Sequence, residues 1–283
     1  MNKNYVGLFV FTAFLILNPT LSFGEDDVNS NVDLDENSSE VDELEEPVII
    51  TLSDIKKKFV LDGKWSNDIE WKTSSYNGWL FDDGTGIVLR SAHEENYLYF
   101  LVDYISDRTI DTNADRAMIC LEGNNEKNTI AQQNAYCFIA VMNKNTPVTL
   151  QGGGISSISG NFNQIFVKDV MTKGTVSDHK DRYSQVPHAS YEFKIPTDLV
   201  GRYSEYGLYI SVYDSDADRY NSWPRNIEHK NNFTIPSPNE WGIMISPDKS
   251  LPEFEFPLLL GVLSFLTMIY FSKKKSFSLM RYP

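Results

Sequence analysis

An antiparallel β-sandwich is the fold class this sequence predicts, on three observations. From Pro47 onward the apolar runs are short, rich in β-branched and aromatic residues, and punctuated by turn residues. Gly207–Tyr213 alternates with period two, Leu208, Ile210 and Val212 on one face and Tyr209, Ser211 and Tyr213 on the other, so one face belongs in a core and one near water. No segment holds a helical period over three turns, and 15 Tyr with 17 Phe suit pleated surfaces better than helices. No repeat recurs at a solenoid period.

Taken in chain order, residues 1–24 read as a secretory signal: Lys3, an apolar core Val6–Leu17, and Ser22-Phe23-Gly24 before a cut at Glu25. Residues 25–46 carry 11 acids and no Lys or Arg. Such a stretch cannot bury enough apolar surface to offset its ordering entropy, which makes it an extended, self-repelling spacer. A cation sponge and a docking tail are the competing functions, and neither has a fixed ligand geometry behind it. Residues 47–250 then form the sandwich, a single domain of about 200 residues.

Within that domain Tyr97–Tyr104 (YLYFLVDY) is nearly continuous and apolar, as a central strand is. Ala117–Leu121, Tyr136–Met142, Ile165–Val170, Ser190–Ile195 and Gly207–Tyr213 are the further strands. Ile195–Gly201 reads as a turn or a single helical turn, and Gln151–Gly154 as a flexible loop. After the domain, Leu251-Pro252-Glu253-Phe254 opens an apolar run of 18 residues to Phe271, closed by Lys273–Lys275. Residues 251–272 are therefore expected to be a transmembrane anchor near the short end of the ~17–25 residues that span a bilayer. The basic 273–283 tail belongs in the cytoplasm and the bulk of the chain outside. A buried core helix is the competing reading. The expected location is the cell membrane, single-pass, with the sandwich extracellular.

The formal charge of −14 is concentrated in the spacer, since Pro47–Ser250 holds 26 acids against 20 bases. That balance argues against a nucleic-acid partner, which needs a basic stripe. The two cysteines, Cys120 and Cys137, are too far apart for a CxxC motif and too few for a zinc site. They are equidistant from the midpoint of the polar stretch between two strands, the register of a simple hairpin. Outside the cell a disulfide between them is expected, with two buried free thiols as the alternative. The sequons at Asn37 and Asn232 agree with an outside location.

No catalytic signature is present. His93, His179, His188 and His229 are scattered, with no HExxH, and His179 and His188 flank what reads as a solvated polar loop. Gln151-Gly152-Gly153-Gly154 lacks a following Gly-Lys-Ser/Thr and is no phosphate cradle. A non-enzymatic protein is the expectation.

Two motifs carry the functional reading. Leu61-Asp62-Gly63-Lys64-Trp65 runs on to Glu70-Trp71. Tyr213-Asp214-Ser215-Asp216-Ala217-Asp218-Arg219 is followed by Trp223-Pro224. Between them Tyr97–Tyr104 leads through Asp107 to Asp115-Arg116. In this order the segments resemble family-9 carbohydrate-binding modules and the wider DOMON-like β-sandwich group, over roughly Val60–Trp223. The pattern departs at Tyr213, where Asn is common, and at Ala217, where Gly is usual. The resemblance implies a sandwich that binds sugars on aromatic faces, often with structural calcium. The partner would be a glycan or cell-envelope polysaccharide. Sugars present C–H faces and hydroxyl edges, so the candidate ligand residues are Trp223, Tyr209, Tyr213 and Arg219, the alternative being that Trp223 is core and the tyrosines are ordinary surface strand residues. Asp214, Asp216 and Asp218 alternate as calcium ligands do, although Arg219 and Arg225 stand where an EF-hand needs Gly and Glu. A plain acidic turn is the other reading. A branch of the same group binds haem through Met and Lys or His, for which Met118, Met142, Met171 and His188 are available. A structural surface protein without a small ligand is the third class. The Pro-Glu-Phe triplet, apolar run and basic end also resemble the C-terminal sorting segments of archaeal surface proteins.

Overall fold

The computed structural model describes residues 45–154, 161–225, 227, 235–246, 264, 265 and 267. The signal segment, all but the last two residues of the acidic spacer, both sequons, the sorting motif and tail, and nearly all of the anchor run lie outside these. Among the described residues no helix is long and apolar enough to cross a membrane.

The described chain is built of strands β1 (Val48–Ile49), β2 (Ser75–Leu80), β3 (Gly86–Glu94), β4 (Tyr97–Tyr104), β5 (Arg116–Gly123), β6 (Ala135–Val141) and β7 (Val148–Gln151). Strands β8 (Asn163–Ile165), β9 (Met171–Val176), β10 (Ala189–Pro196), β11 (Glu205–Asp214), β12 (Arg219–Trp223) and β13 (Gly242–Ile245) complete it, with one α-helical turn, α1 (Thr197–Val200), and two 3-10 turns at Ile55–Lys57 and Pro238–Glu240. They form two sheets. The first has eight strands in the order β1-β13-β11-β5-β6-β7-β8, with β12 also paired to β11, and the second has five in the order β2-β3-β4-β10-β9. All pairings are antiparallel except β1 with β13. The β-sandwich expectation holds, and Tyr97–Tyr104 is the central strand of the second sheet.

Period two places Leu208, Ile210 and Val212 of β11, Ile119 of β5 and Phe138 of β6 in one apolar layer with Phe100, Val102, Phe193 and Ile195 of the second sheet. Both outer faces carry further apolar layers. Phe162, Ile235 and Trp241 cover Tyr209, Cys120 and Cys137 on the first sheet. Ile55, Trp65 and Trp71 cover Ala92, Tyr99 and Leu101 on the second. Tyr209 and Ser211 of β11 are accordingly buried, where alternation alone predicted a face near water.

One expected strand is corrected. Ile165–Val170 is not continuous, because β8 lies in the first sheet and β9 in the second. The chain crosses between sheets at 166–170, burying Val170 while Phe166 is left 90% exposed. The glycine run is also packed rather than open. Gly152 N donates to Ala135 O at 2.8 Å, and a Cβ there would lie 2.2 Å from Gln132 O. Cys120 and Cys137 are direct cross-strand partners and are disulfide-bonded, with Cα atoms 4.0 Å apart.

Candidate functional site

Strands β4, β5 and β11 all begin or end at one end of the sandwich, and each delivers an aspartate there. Asp107 follows β4, Asp115 precedes β5 and Asp214 closes β11. The three offer oxygens within 4.8 Å of one another, and all are buried. Asp115 is partly satisfied: its Oδ1 accepts from the Ser215 amide at 3.0 Å and its Oδ2 from the Asp111 amide. Asp214 Oδ1 accepts from the Ala217 amide at 3.1 Å, and its Oδ2 faces Arg219 Nη2 at 3.3 Å. Both carboxylate oxygens of Asp107 are buried without a donor. Burial, with Asp115 and Asp214 beside it, pushes the Asp107 carboxyl up to about 7. Three converging carboxylates, one of them with both oxygens orphaned, supply the donor chemistry that a hard divalent cation such as calcium takes. Calcium bound there would supply positive charge beyond that of Arg219, which otherwise has to come from protons.

The sequence placed a cation on Asp214, Asp216 and Asp218. The structure shares out these residues differently. Register Asp214↔Arg219 makes 215–218 a tight turn, with Asp216 and Asp218 exposed on it. Only Asp214 reaches the buried cluster, and its companions come from Asp107 and Asp115. Both stood in the motif order of the sequence, but only the juxtaposition of three strand ends brings their carboxylates together.

The candidate ligand residues also separate. Trp223 pairs with Ile210, which turns it inward. It is 1% exposed and stacks on Trp79 with ring centroids 5.6 Å apart. It is core, and so offers no platform. Tyr209 faces outward but lies beneath Trp241, 6.3 Å between centroids. Tyr213 lies between Tyr220, at 4.4 Å, and the Arg116 guanidinium, 4.1 Å from its ring, and donates to Asp218 Oδ1 at 3.0 Å. Arg219 faces Asp83 at 3.5 Å as well as Asp214. Met118, Met142, Met171 and His188 do not come together. Met142 is in the core and Met118 packs with the outer layer of the first sheet. Met171 pairs with Lys194 at one end of β10, whereas His188 precedes the other end. His188, expected on a solvated loop, is fully buried.

A second arrangement, which sequence reasoning missed, lies on the outer face of the second sheet. Tyr76 of β2 pairs with Arg90 of β3, so both point outward together. Tyr183, in the loop before β10, stands near-parallel to Tyr76, with centroids 5.7 Å apart and planes at 27°. Tyr76 is 55% exposed. Arg90 is held beneath the pair: its Nε donates to Ser74 Oγ at 3.0 Å, and its guanidinium carbon is 5.8 Å from the Tyr76 ring and 5.6 Å from the Trp65 ring. The Trp65 ring meets Tyr183 edge-on at 6.0 Å. The Tyr183 hydroxyl is buried without a hydrogen-bond partner. Arg90 is a fixed, multi-donor group beside a surface aromatic, and that combination suits a ligand with both apolar faces and hydroxyl edges. The only signal in the sequence was the pair of tyrosines, 107 residues apart and indistinguishable there from ordinary strand and loop residues.

No protein-family model matches the chain, and no curated protein is significantly similar to it. Among solved structures it is similar to a family-9 carbohydrate-binding module from Caldicellulosiruptor kristjanssonii in complex with cellotriose, at a TM-score of 0.46 and 14% identity, covering 71% of this chain and 93% of that one. It is also similar to a family-9 module from the same organism in complex with glucose, at a TM-score of 0.42 and 15% identity, covering 71% and 95%.

Proposed function

We propose that the domain is a non-catalytic carbohydrate-binding module whose site is the Tyr76–Tyr183 pair above Arg90. One observation carries this reading: a surface tyrosine, 55% exposed, beside a near-parallel second ring and a guanidinium fixed at their base. An exposed surface ring can stack on the C–H face of a pyranose, and the guanidinium can donate to its hydroxyls. The sequence resemblance to family-9 modules supports the same class. The module is held outside the cell by the signal segment and the Phe254–Phe271 anchor, and the Cys120–Cys137 bridge supports that oxidising location. Screening the purified domain on a glycan array supplies the ligand. Tyr76→Ala is then expected to weaken binding about tenfold or more, the loss typical of truncating a contact aromatic, with an unchanged melting temperature. Tyr220→Ala, at the sandwich end, is expected to leave affinity unchanged. The reverse pattern moves the site to the sandwich end, and binding of no glycan at all removes the reading.

Calcium at Asp107, Asp115 and Asp214 is part of the same proposal, as a brace for the strand ends. It rests on the two orphaned Asp107 oxygens. In chelator-treated protein, an Asp107 carboxyl near 7 in the fold, against about 4 when unfolded, means that the native state holds the extra proton. Stability therefore falls as pH rises from about 4 to 7 and levels off above it. Calcium should raise the melting temperature, more at pH 7.5 than at pH 5, and Asp107→Asn should abolish the increment. An increment that is absent, or that survives this substitution, refutes the assignment.

A further inference from the structure

We propose that Asp103, Asp181 and His188 form a second cation site, one for a divalent transition-metal ion of the zinc class, on the outer face of the second sheet. Asp103 lies near the end of β4, and His188 immediately precedes β10, next to Ala189, whose partner on β4 is Tyr104. Asp181 comes from the loop above them. The three offer ligand atoms within 4.8 Å of one another, and all are buried.

The tautomer of His188 follows from its surroundings. Nδ1 lies 2.8 Å from the Val186 carbonyl, which can only accept, so Nδ1 carries a proton. Ser177 Oγ, 2.9 Å from the same nitrogen, also accepts from the His188 amide at 3.0 Å. The ring is thereby fixed with Nε2 facing Asp103 Oδ1 at 3.1 Å. In neutral imidazole Nε2 is a lone pair. A histidine whose Nδ1–H is tied to a backbone carbonyl, with Nε2 turned to carboxylates, is oriented as metal-binding histidines are.

The carboxylates are oriented too. Asp181 Oδ1 accepts from the amides of Tyr183 at 2.7 Å and Ser184 at 2.9 Å, which fixes the side chain in its loop. Its Oδ2 is buried with no donor, as is Asp103 Oδ2. Asp103 is 0% exposed and Asp181 is 6% exposed. Burial and the neighbouring Asp103 push the Asp181 carboxyl upward. Two carboxylate oxygens without a donor and the His188 Nε2 thus converge in a buried space, bridged either by protons on His188 and Asp181, the first shared with Asp103, or by one divalent cation. One imidazole and two carboxylates fit zinc or cobalt better than calcium, which takes six to eight oxygens. Zn–N and Zn–O bonds of about 2.0–2.2 Å need only small side-chain rotations to draw these atoms in. This distinguishes the site from the all-oxygen cluster at the sandwich end, and it does not depend on the carbohydrate reading.

The test uses the metal alone. The purified chain is stripped with chelator and titrated with Co(II) and then Zn(II), with calcium in excess to fill the all-oxygen cluster. About one equivalent of Co(II) should bind with visible ligand-field bands, which zinc displaces. X-ray absorption of the zinc-loaded protein should show an imidazole ligand. Asp181→Asn, which keeps the side-chain shape and its amide contacts, should weaken cobalt binding at least tenfold, and His188→Ala should abolish the bands. If His188→Ala does not fold, the wild-type absorption spectrum and Asp181→Asn still decide. Absence of cobalt binding in the wild type, or unchanged affinity in Asp181→Asn, overturns the proposal and leaves protons to separate the three groups.

Discussion

Trp223→Ala is expected to destabilise the domain by about 3–5 kcal/mol, the range for truncating a buried aromatic. The side chain sits in the layer between the sheets, against Trp79. Gly242 of β13 lies so close beneath it that a Cβ there would come within 2.2 Å of the indole. The loss combines apolar surface returned to water with a cavity that two sheets cannot collapse around. Against a typical domain stability of about 5–15 kcal/mol this is a large fraction. Urea denaturation should show the midpoint falling sharply with the m-value retained. Gly242→Ala, which crowds the same contact from the other side, should also destabilise. Below its melting temperature the Trp223 variant should keep the glycan affinity of the parent, because the Tyr76–Tyr183 pair is on the far face of the other sheet. An unfolding free energy within about 1 kcal/mol of the parent would place the ring in solvent and return Trp223 to the list of ligand contacts.

The fate of Trp223 shows what was legible in the sequence. Strands β4, β6, β10 and β11 were readable because their alternation or continuity is a local pattern. The hairpin register of Cys120 and Cys137 was readable because it needs only symmetry about one loop. Strand β12 was missed, and with it the parity of Trp223. Once the 215–218 turn sets Asp214 opposite Arg219, Trp223 must share a face with Ile210. A one-residue change of register would have put it outside. Tyr209, Trp65, Trp71 and Trp241 were ambiguous for a different reason. Alternation says which way a side chain points but not whether a loop later covers it, and both outer faces here are covered.

Charged residues were harder still. Asp103 lies in β4, Asp107 and Asp115 in the β4–β5 connection, and Asp181 and His188 in the distant β9–β10 connection, and nothing local marks them as buried. Their convergence is a property of the strand ends. The alternating aspartates of the 214–218 turn drew attention because they are adjacent in sequence. Adjacency in a four-residue turn leaves two of the three in solvent.

The opening motif, Leu61–Trp71, proves to be structural, and this makes a second large effect testable. Glu192 points outward from β10 and is fully buried. Its Oε2 accepts from the amides of Asp62 at 3.0 Å and Gly63 at 2.8 Å, and its Oε1 from Trp71 Nε1 at 3.0 Å. Glu70 accepts from the amides of Val60 at 2.7 Å and Ser66 at 2.9 Å. Gly63 is needed because φ is +94° and its Cβ position is crowded by Lys173 and Thr175. Two buried carboxylates thus hold the loop that lays Trp65 and Trp71 over the second sheet, next to Arg90 and Tyr183. Glu192→Ala strands two buried donors and one partly buried one, at about 1–3 kcal/mol for each buried donor. Because they act as one unit the losses will not add, and a total of about 3–5 kcal/mol is expected. Glu192→Gln retains one acceptor but turns an NH2 toward a donor, so it should fall between parent and alanine. Hydrogen exchange should show the amides of Asp62 and Gly63 losing protection in Glu192→Ala, while β5 and β11 exchange only through global unfolding. If those two amides stay protected and the stability changes by less than about 1 kcal/mol, the loop is held by its tryptophans alone. Should the loop instead open as expected, Arg90 and Tyr183 lose the support of Trp65, and glycan affinity should fall with it even at temperatures where the sandwich remains folded.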